Sequence, residues 1–353
     1  MTKDRVFVKS LGRDVKCASV LRLLPSSTYI NWRPVPAFEG DVSLFEMVPD
    51  AHPIVVESVT GRFMTLVSDD LFLATPGFRE STRWVVGHVP AAGLQPGAEY
   101  WVLADSGLVG ELDGASVLPK THLGRTRFLG VLIGPDDRPL NLNAFAPLAV
   151  ATSAPDRGAS VTVLIGTSAE VGKTTAGLAV LQTLLSRGRG NVIALKATGT
   201  ASIQETARYA DYGARQTFDC IDFGLPTTYP SGRDGIAPIF EVALSHILSL
   251  QSDAILIECG GDLFGANVPI FLESLKRRRP EMRIVVAASD AAAALGSKSV
   301  LDSMGLEIDF FTGPCTDTPT LLARTERLCG RPAMNLMGGH IRTAKPGLEA
   351  SSA

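Results

Sequence analysis

Between Gly166 and Thr175 the chain reads Gly-Thr-Ser-Ala-Glu-Val-Gly-Lys-Thr-Thr. A glycine, a lysine and two hydroxyls in that order, between an apolar strand and an apolar helix, can hold phosphate. Backbone N–H groups of the turn face the anion, and the positive end of the helix dipole adds to them. Lys173 would reach the β- and γ-phosphates of a nucleotide, and the Thr174 hydroxyl would ligate Mg²⁺. The candidate phosphate-binding residues are therefore Gly166, Thr167, Ser168, Ala169, Glu170, Val171, Gly172, Lys173, Thr174 and Thr175. Within the loop, Ser168 and Glu170 either face substrate or fill the turn. The bland alternative is a tight turn with an incidental lysine. The opening glycine lies one residue earlier than the G-x-x-x-x-G-K-[ST] spacing places it.

Two elements must position that loop. "VTVLI" before it reads as a buried strand, and "TTAGLAVLQTLLSRG" after it reads as an apolar-periodic helix ending on Gly188. Other charged residues stand at comparable places. Lys196 follows an apolar strand run in "VIALKATGTAS", so it emerges at the carboxyl edge of a sheet, where open α/β sheets bind ligands. Glu258 ends "DAILIECGGD"; an acid there is costly without a partner, and Mg²⁺ is a good one. Asp262 competes for the same role. Asp219 and Asp222, in "FDCIDFG", are candidates for a second acidic ligand or a substrate-orienting base. Arg233, in the polar loop "TTYPSGRDG", either holds a carboxylate or phosphate or sits in ordinary exposed loop.

The remaining charged and sulfur-bearing residues carry less. "KRRRP" at 276–280 reads as a solvated helix end. The five histidines (52, 88, 122, 246, 340) have no metal-ligand spacing, and Cys259 reads as a small buried residue rather than a nucleophile.

At 353 residues there is room for two domains, and 45% hydrophobic content can fill their cores. Residues 1–150 carry short apolar runs broken by Gly, Pro and Asp, so they read as a smaller β-rich domain with one or two helices. Residues 151–160 read as a linker. From 161 to 338, continuous apolar strands alternate with helices, the grammar of a parallel sheet covered on both faces: an α/β fold. Residues 339–353 read as a flexible tail. A net charge of −3 offers no bulk field for nucleic acid or acidic membranes. Five scattered cysteines, no signal-peptide core and no long apolar run point to a reduced, cytoplasmic chain.

The loop G-T-x-x-x-V-G-K-T resembles that of dethiobiotin synthetase and the cobyrinate amidase-like branch of P-loop enzymes. The MinD and arsenite-pump ATPases carry a signature lysine six residues before the loop lysine, where this chain has Thr167. Lys196 matches a lysine in the family's K-P-x-x-[ST]-G segment that helps hold substrate and transferring phosphate. The proline is absent and the T-G comes earlier, which implies a different pocket with Thr198 and Thr200 near substrate. Glu258 matches the Mg²⁺-linked carboxylate of E-G-A-G-G. "TGP" implies that Gly313 and Pro314 lie near the base; the asparagine that commonly reads adenine is missing, so ATP and GTP both stand. Parts of the middle also resemble the P-loop family that includes D-glutamate N-acetyltransferase: "KATGTAS", "DCIDFG" and "ECGGDLFG" are similar in order and spacing, and the match favours Asp222 as the second acidic ligand. The resemblances span about residues 161–335.

What they imply is a Mg²⁺-ATP-dependent ligase or small-molecule kinase that activates a carboxylate or carbamate, with Lys173, Lys196 and Glu258 as catalytic residues and Thr174, Glu258 and Asp222 toward the metal. Substrate would meet Thr198, Thr200 and Arg233. One alternative is an N-acyltransferase with acetyl-coenzyme A at the loop; another is a nucleotide-gated protein-binding module. The partners expected are a small-molecule carboxylate or amine and a second copy of the chain as a homodimer, with no nucleic acid and no membrane.

Overall fold

A computed structural model describes residues 5–7, 14–25, 31–49, 51–80, 85–115, 123–150, 152–229 and 235–336. Arg233 and the tail at 339–353 lie outside the described residues.

The N-terminal strands are β1 (Arg5–Phe7), β2 (Asp14–Cys17), β3 (Asn31–Arg33), β4 (Ser43–Met47), β5 (Ile54–Glu57), β6 (Phe63–Leu66), β7 (Leu71–Pro76), β8 (Arg79–Glu80), β9 (Val85–His88), β10 (Glu99–Ala104), β11 (Leu108–Ala115) and β12 (Arg125–Ile133). Their pairings run β7–β4–β12–β10–β11, and β11 returns to β7, so five strands close into a small barrel. A barrel interior needs inward side chains that fill it. Here Phe72, Phe45 and Phe128 lie opposite one another across three strands, with ring centroids 5.6 and 5.4 Å apart, all fully buried. Contrary to expectation, this region holds no α-helix among the described residues, only short 3₁₀ turns at Ser19–Leu21 and Leu142–Phe145.

The C-terminal part is the anticipated α/β unit. Its strands are β13 (Ser160–Gly166), β14 (Val192–Thr198), β15 (Gln216–Asp219), β16 (Ala254–Cys259), β17 (Arg283–Ala287) and β18 (Phe310–Thr312). They form a parallel sheet in the order β15-β14-β16-β13-β17-β18. The helices are α1 (Lys173–Ser186), α2 (Ile203–Asp211), α3 (Ile236–Ser249), α4 (Val268–Arg278), α5 (Ala291–Ser303) and α6 (Pro319–Cys329). Successive strand residues point to opposite faces. Val163 and Ile165 pack into one core, while Leu164 packs into another with Leu178 of α1 and Tyr209 of α2. Both faces are therefore covered, which is why these strands read as unbroken apolar runs.

Several features depart from the sequence reading. Helices α2 and α6 and strand β15 were not anticipated. The polar composition of "IQETARYAD" masks α2, although Ser202 and Glu205 have the spacing of a helix start. The basic run at the end of α4 is not simply solvated: Arg277 and Arg278 pair with Glu241, and the buried Arg279 pairs with Asp156 and Glu281. Among the described residues no helix is long and apolar enough to cross a membrane.

Candidate functional site

The loop leaves β13, an interior strand with three strands on one side and two on the other, and enters α1 at Lys173. Glu170 (φ 60°) and Gly172 (φ 87°) adopt left-handed backbone, which curls the turn over the helix N-terminus. Thr167 fastens the loop's base: its N–H donates to the Ala287 carbonyl at 3.0 Å, and its hydroxyl accepts from Ser289 N–H at 3.2 Å. Lys173 arches back over the turn and donates to the Ser168 and Gly261 carbonyls, both at 2.9 Å. A Cβ on Gly166 would stand 2.7 Å from Lys173 Cδ, so that glycine makes room for the arch. Burial lowers the Lys173 pKa from its ordinary value, with Glu258 opposing.

Strand register brings Glu258 opposite both Leu164 and Lys196. By the alternation of the sheet, Glu258 and Lys196 face the side covered by α1 and α2. There the Thr174 hydroxyl donates to Glu258 Oε1 at 3.0 Å, and the Tyr209 hydroxyl donates to Oε2 at 2.6 Å. Burial raises the Glu258 carboxyl above its ordinary range, and the neighbouring Glu205 adds to the rise. Burial alone would lower Lys196; the Glu205 carboxylate, paired with its ammonium, reverses this to a net upward shift. Two glycine turns touch beneath them. A Cβ on Gly260 would stand 2.3 Å from the Thr198 carbonyl, and the Thr198 hydroxyl donates to the Gly260 carbonyl at 2.9 Å.

These groups open into a cleft of about 690 Å³ that includes Ala169, Glu170, Gly172, Lys173, Thr174, Thr175, Lys196, Thr200 and Glu258. Five polar residues that sequence reasoning missed share it: Arg79 from β8, Asp105 from the turn between β10 and β11, Glu205 and Arg208 from α2, and Tyr229. Tyr209 was missed as well. Residue spacing held one signal for the α2 group, the Ser-Ile-Gln-Glu helix start at 202–205. Nothing local in the sequence marks Arg79, because only tertiary packing brings its strand to the cleft.

Several expected residues are placed elsewhere. Asp222 does not join the loop: its carboxylate accepts from Arg22 at 2.9 Å and from Asp219 N–H at 2.8 Å, and it lines a separate cavity of about 380 Å³. Asp219 likewise accepts from Arg22, at 2.7 Å. Both aspartates cap their own 3₁₀ turn at Cys220–Phe223 and pair with Arg22, a half-buried residue of the N-terminal part. Asp262 caps its own turn, accepting from Phe264 and Gly265 N–H at 2.8 and 2.9 Å. Gly313 abuts the loop at the Val171 carbonyl, yet neither it nor Pro314 lines the cleft. Thr198 is buried beneath the cleft floor rather than exposed in it. Burial pushes the Cys259 thiol up to about 12, which suits its reading as an inert core residue.

The donor set suits Mg²⁺, a hard cation usually held by one or two carboxylates together with phosphate oxygens and water. The Thr174 hydroxyl and the Glu258 carboxylate are such oxygens and lie in contact beside the loop lysine. Among the described residues no group of three His, Cys, Asp or Glu side chains forms a metal cage.

Fold and loop together define a P-loop α/β protein. No family model matches the chain, and no curated protein matches it in sequence. Among solved structures it is similar to the signal recognition particle receptor FtsY from Elizabethkingia anophelis in complex with GDP, at 13% identity and a TM-score of 0.36, over 54% of this chain and 60% of that one. It is similar to the cell division protein FtsY from Thermotoga maritima at 17% identity and a TM-score of 0.34, over 54% and 66%. The signal recognition particle 54 kDa protein from Aeropyrum pernix in complex with GDP gives 15%, 0.36, and 55% and 46%. The chain thus spans less than two thirds of these neighbours, and at such values nothing about its activity follows from them.

Proposed function

We propose that this protein is a Mg²⁺-nucleotide-dependent enzyme that transfers a terminal phosphoryl group to a small-molecule carboxylate or carbamate, as the dethiobiotin synthetase-like resemblance implies. The observation that carries the reading is the contact of Thr174 with Glu258 beside Lys173, in one cleft with Lys196. Bound there, Mg²⁺ would neutralise charge on the phosphate oxygens. The loop N–H groups and Lys173 bind the β- and γ-phosphates. Lys196, released from Glu205, holds the γ-phosphoryl oxygens and the acceptor oxygen together. That acceptor oxygen forms a bond to the γ-phosphorus as the bond to the β–γ bridging oxygen breaks, and the nucleoside diphosphate leaves with that electron pair. Phosphoryl transfer relies on positioning and charge stabilisation, so no side-chain nucleophile is needed. Tyr209 keeps the Glu258 carboxylate oriented.

Calorimetric titration of Mg²⁺-ATP, Mg²⁺-GTP and acetyl-coenzyme A into the wild type and Lys173→Ala tests this. Nucleotide binding that is lost in the variant supports the reading and names the base. Binding of coenzyme A alone moves the protein to an acyltransferase, and binding of none of the three removes the proposal.

A further inference from the structure

Four cationic side chains line the cleft: Lys173, Lys196, Arg208 and Arg79. Lys173 belongs to the phosphate loop and Lys196 is held by Glu205. Arg208 is exposed on α2. Arg79 differs from all three in origin and in state. It comes from β8 of the N-terminal sheet, is half-buried, and among the described residues donates only to the Leu103 carbonyl, meeting no carboxylate. Other arginines of the N-terminal part do meet one: Arg22 with Asp219 and Asp222, Arg33 with Asp137, Arg125 with Glu99, and Arg127 with Glu46 and Glu99. A guanidinium has five donors in a planar fork that matches a carboxylate, and Arg79 brings that fork to the cleft. Burial indeed lowers its pKa, with Tyr229, Asp105 and Glu205 opposing.

Tyr229 completes the arrangement. It is buried, lines the cleft, and has no hydrogen-bond partner for its hydroxyl among the described residues. That oxygen lies 3.4 Å from where a Cβ on Gly261 would stand, and the Gly261 carbonyl is one that holds Lys173. Among the described residues, then, a phenol hydroxyl without a hydrogen-bond partner sits near the phosphate loop, and a guanidinium that meets no carboxylate enters the same cleft from the N-terminal sheet.

We propose that Arg79 and Tyr229 form the acceptor subsite, and that the acceptor is a small dicarboxylate: one carboxylate takes the phosphoryl group near Lys196, and the distal one is gripped by the Arg79 fork. The inference rests on the phosphoryl-transfer reading for the role of the first carboxylate, but the Arg79 grip is testable without it. It assigns the N-terminal sheet the selection of substrate.

The test is calorimetric titration of acetate, malonate, succinate, glutarate and adipate, with and without Mg²⁺-AMP-PNP, into wild type, Arg79→Gln, Arg79→Lys and Tyr229→Phe. One or more dicarboxylates should bind the wild type and acetate should not. Arg79→Gln should weaken that binding by about tenfold or more, as loss of a bidentate charged contact does. Arg79→Lys should recover only part of it, and the affinity for AMP-PNP should stay within about threefold. Should Arg79→Gln fail to fold, Arg79→Lys and Tyr229→Phe still carry the result. Dicarboxylate binding that depends on Arg79 without any nucleotide binding would sustain the subsite and remove the phosphoryl-transfer reading. Nucleotide binding with no dicarboxylate binding, or dicarboxylate binding indifferent to Arg79, would overturn the subsite and leave that reading standing.

Discussion

Glu57, at the end of β5, accepts the backbone N–H of Gln204 at 2.7 Å, and its second oxygen accepts that of Ile203 at 3.0 Å. A buried carboxylate of the N-terminal part thus caps α2, the helix that carries Glu205, Arg208 and Tyr209 to the cleft. The Ser202 hydroxyl adds the local cap by accepting from Glu205 N–H at 3.3 Å. Glu205 does not return the bond to Ser202; its side chain goes to Lys196. The two halves of the chain are joined at the start of the helix on which the site depends.

Removing that cap should be felt in stability. Glu57→Ala leaves two helix-start donors buried without an acceptor, and its expected cost is about 1–2 kcal/mol, the usual value for a lost N-cap. Urea unfolding followed by circular dichroism measures it. An unchanged midpoint would mean that α2 is held by packing alone.

Gly166→Ala separates folding from phosphate binding. The added Cβ would meet Lys173 Cδ at 2.7 Å and Nζ at 2.9 Å, all flexible side-chain atoms that can move aside. The fold should survive while the lysine loses its place, and nucleotide affinity should fall by about tenfold, or ~1.4 kcal/mol. Retained affinity would show that Lys173 does not need the arch over Gly166.

Gly177, inside α1, is spaced against Tyr209. A Cβ there would stand 2.1 Å from the Tyr209 hydroxyl and 2.9 Å from the ring carbon that bears it. Gly→Ala in a helix ordinarily gains up to about 1 kcal/mol. Here overpacking costs of about 1–3 kcal/mol oppose the gain. The net should be destabilising, and the thermal midpoint of Gly177→Ala should drop. A rise would mean that Tyr209 swings away from Glu258 without cost.

The Arg22, Asp219 and Asp222 cluster predicts a pH dependence of stability. Burial pushes the Asp222 carboxyl up to about 6, Arg22 opposing and Asp219 adding to the rise. A carboxyl raised in the folded state binds its proton more tightly there than in the unfolded chain. Its contribution is therefore greatest below the ordinary aspartate range and is lost as pH rises toward about 6. Asp222→Asn should flatten that part of the profile, read as urea midpoints at pH 4, 5, 6 and 7. A wild-type profile that climbs over the same interval because of this residue would reverse the assignment.

The C-terminal α/β unit was largely legible in the residues, since its buried strands are unbroken apolar runs and its loop carries glycine, lysine and threonine at fixed spacing. The places of Lys196 and Glu258 followed from the same logic: each ends an apolar run, and in a parallel sheet such ends converge on one edge. Local composition concealed α2, a short helix whose polar residues outweigh its apolar ones, and with it the partners of Lys196 and Glu258. The positions of Asp222 and Arg79 depend on contacts across long stretches of chain, 200 residues in the case of Arg22 with Asp222. Period and spacing are local properties, so the sequence by itself determined the phosphate loop, the sheet and the edge where chemistry would sit. Burying the N-terminal barrel against that unit is a tertiary event. It decided that Arg22 would pair with both aspartates of the 219–222 turn and that Arg79 would enter the cleft, because a charge taken partly out of water goes to whatever partner packing leaves within its reach.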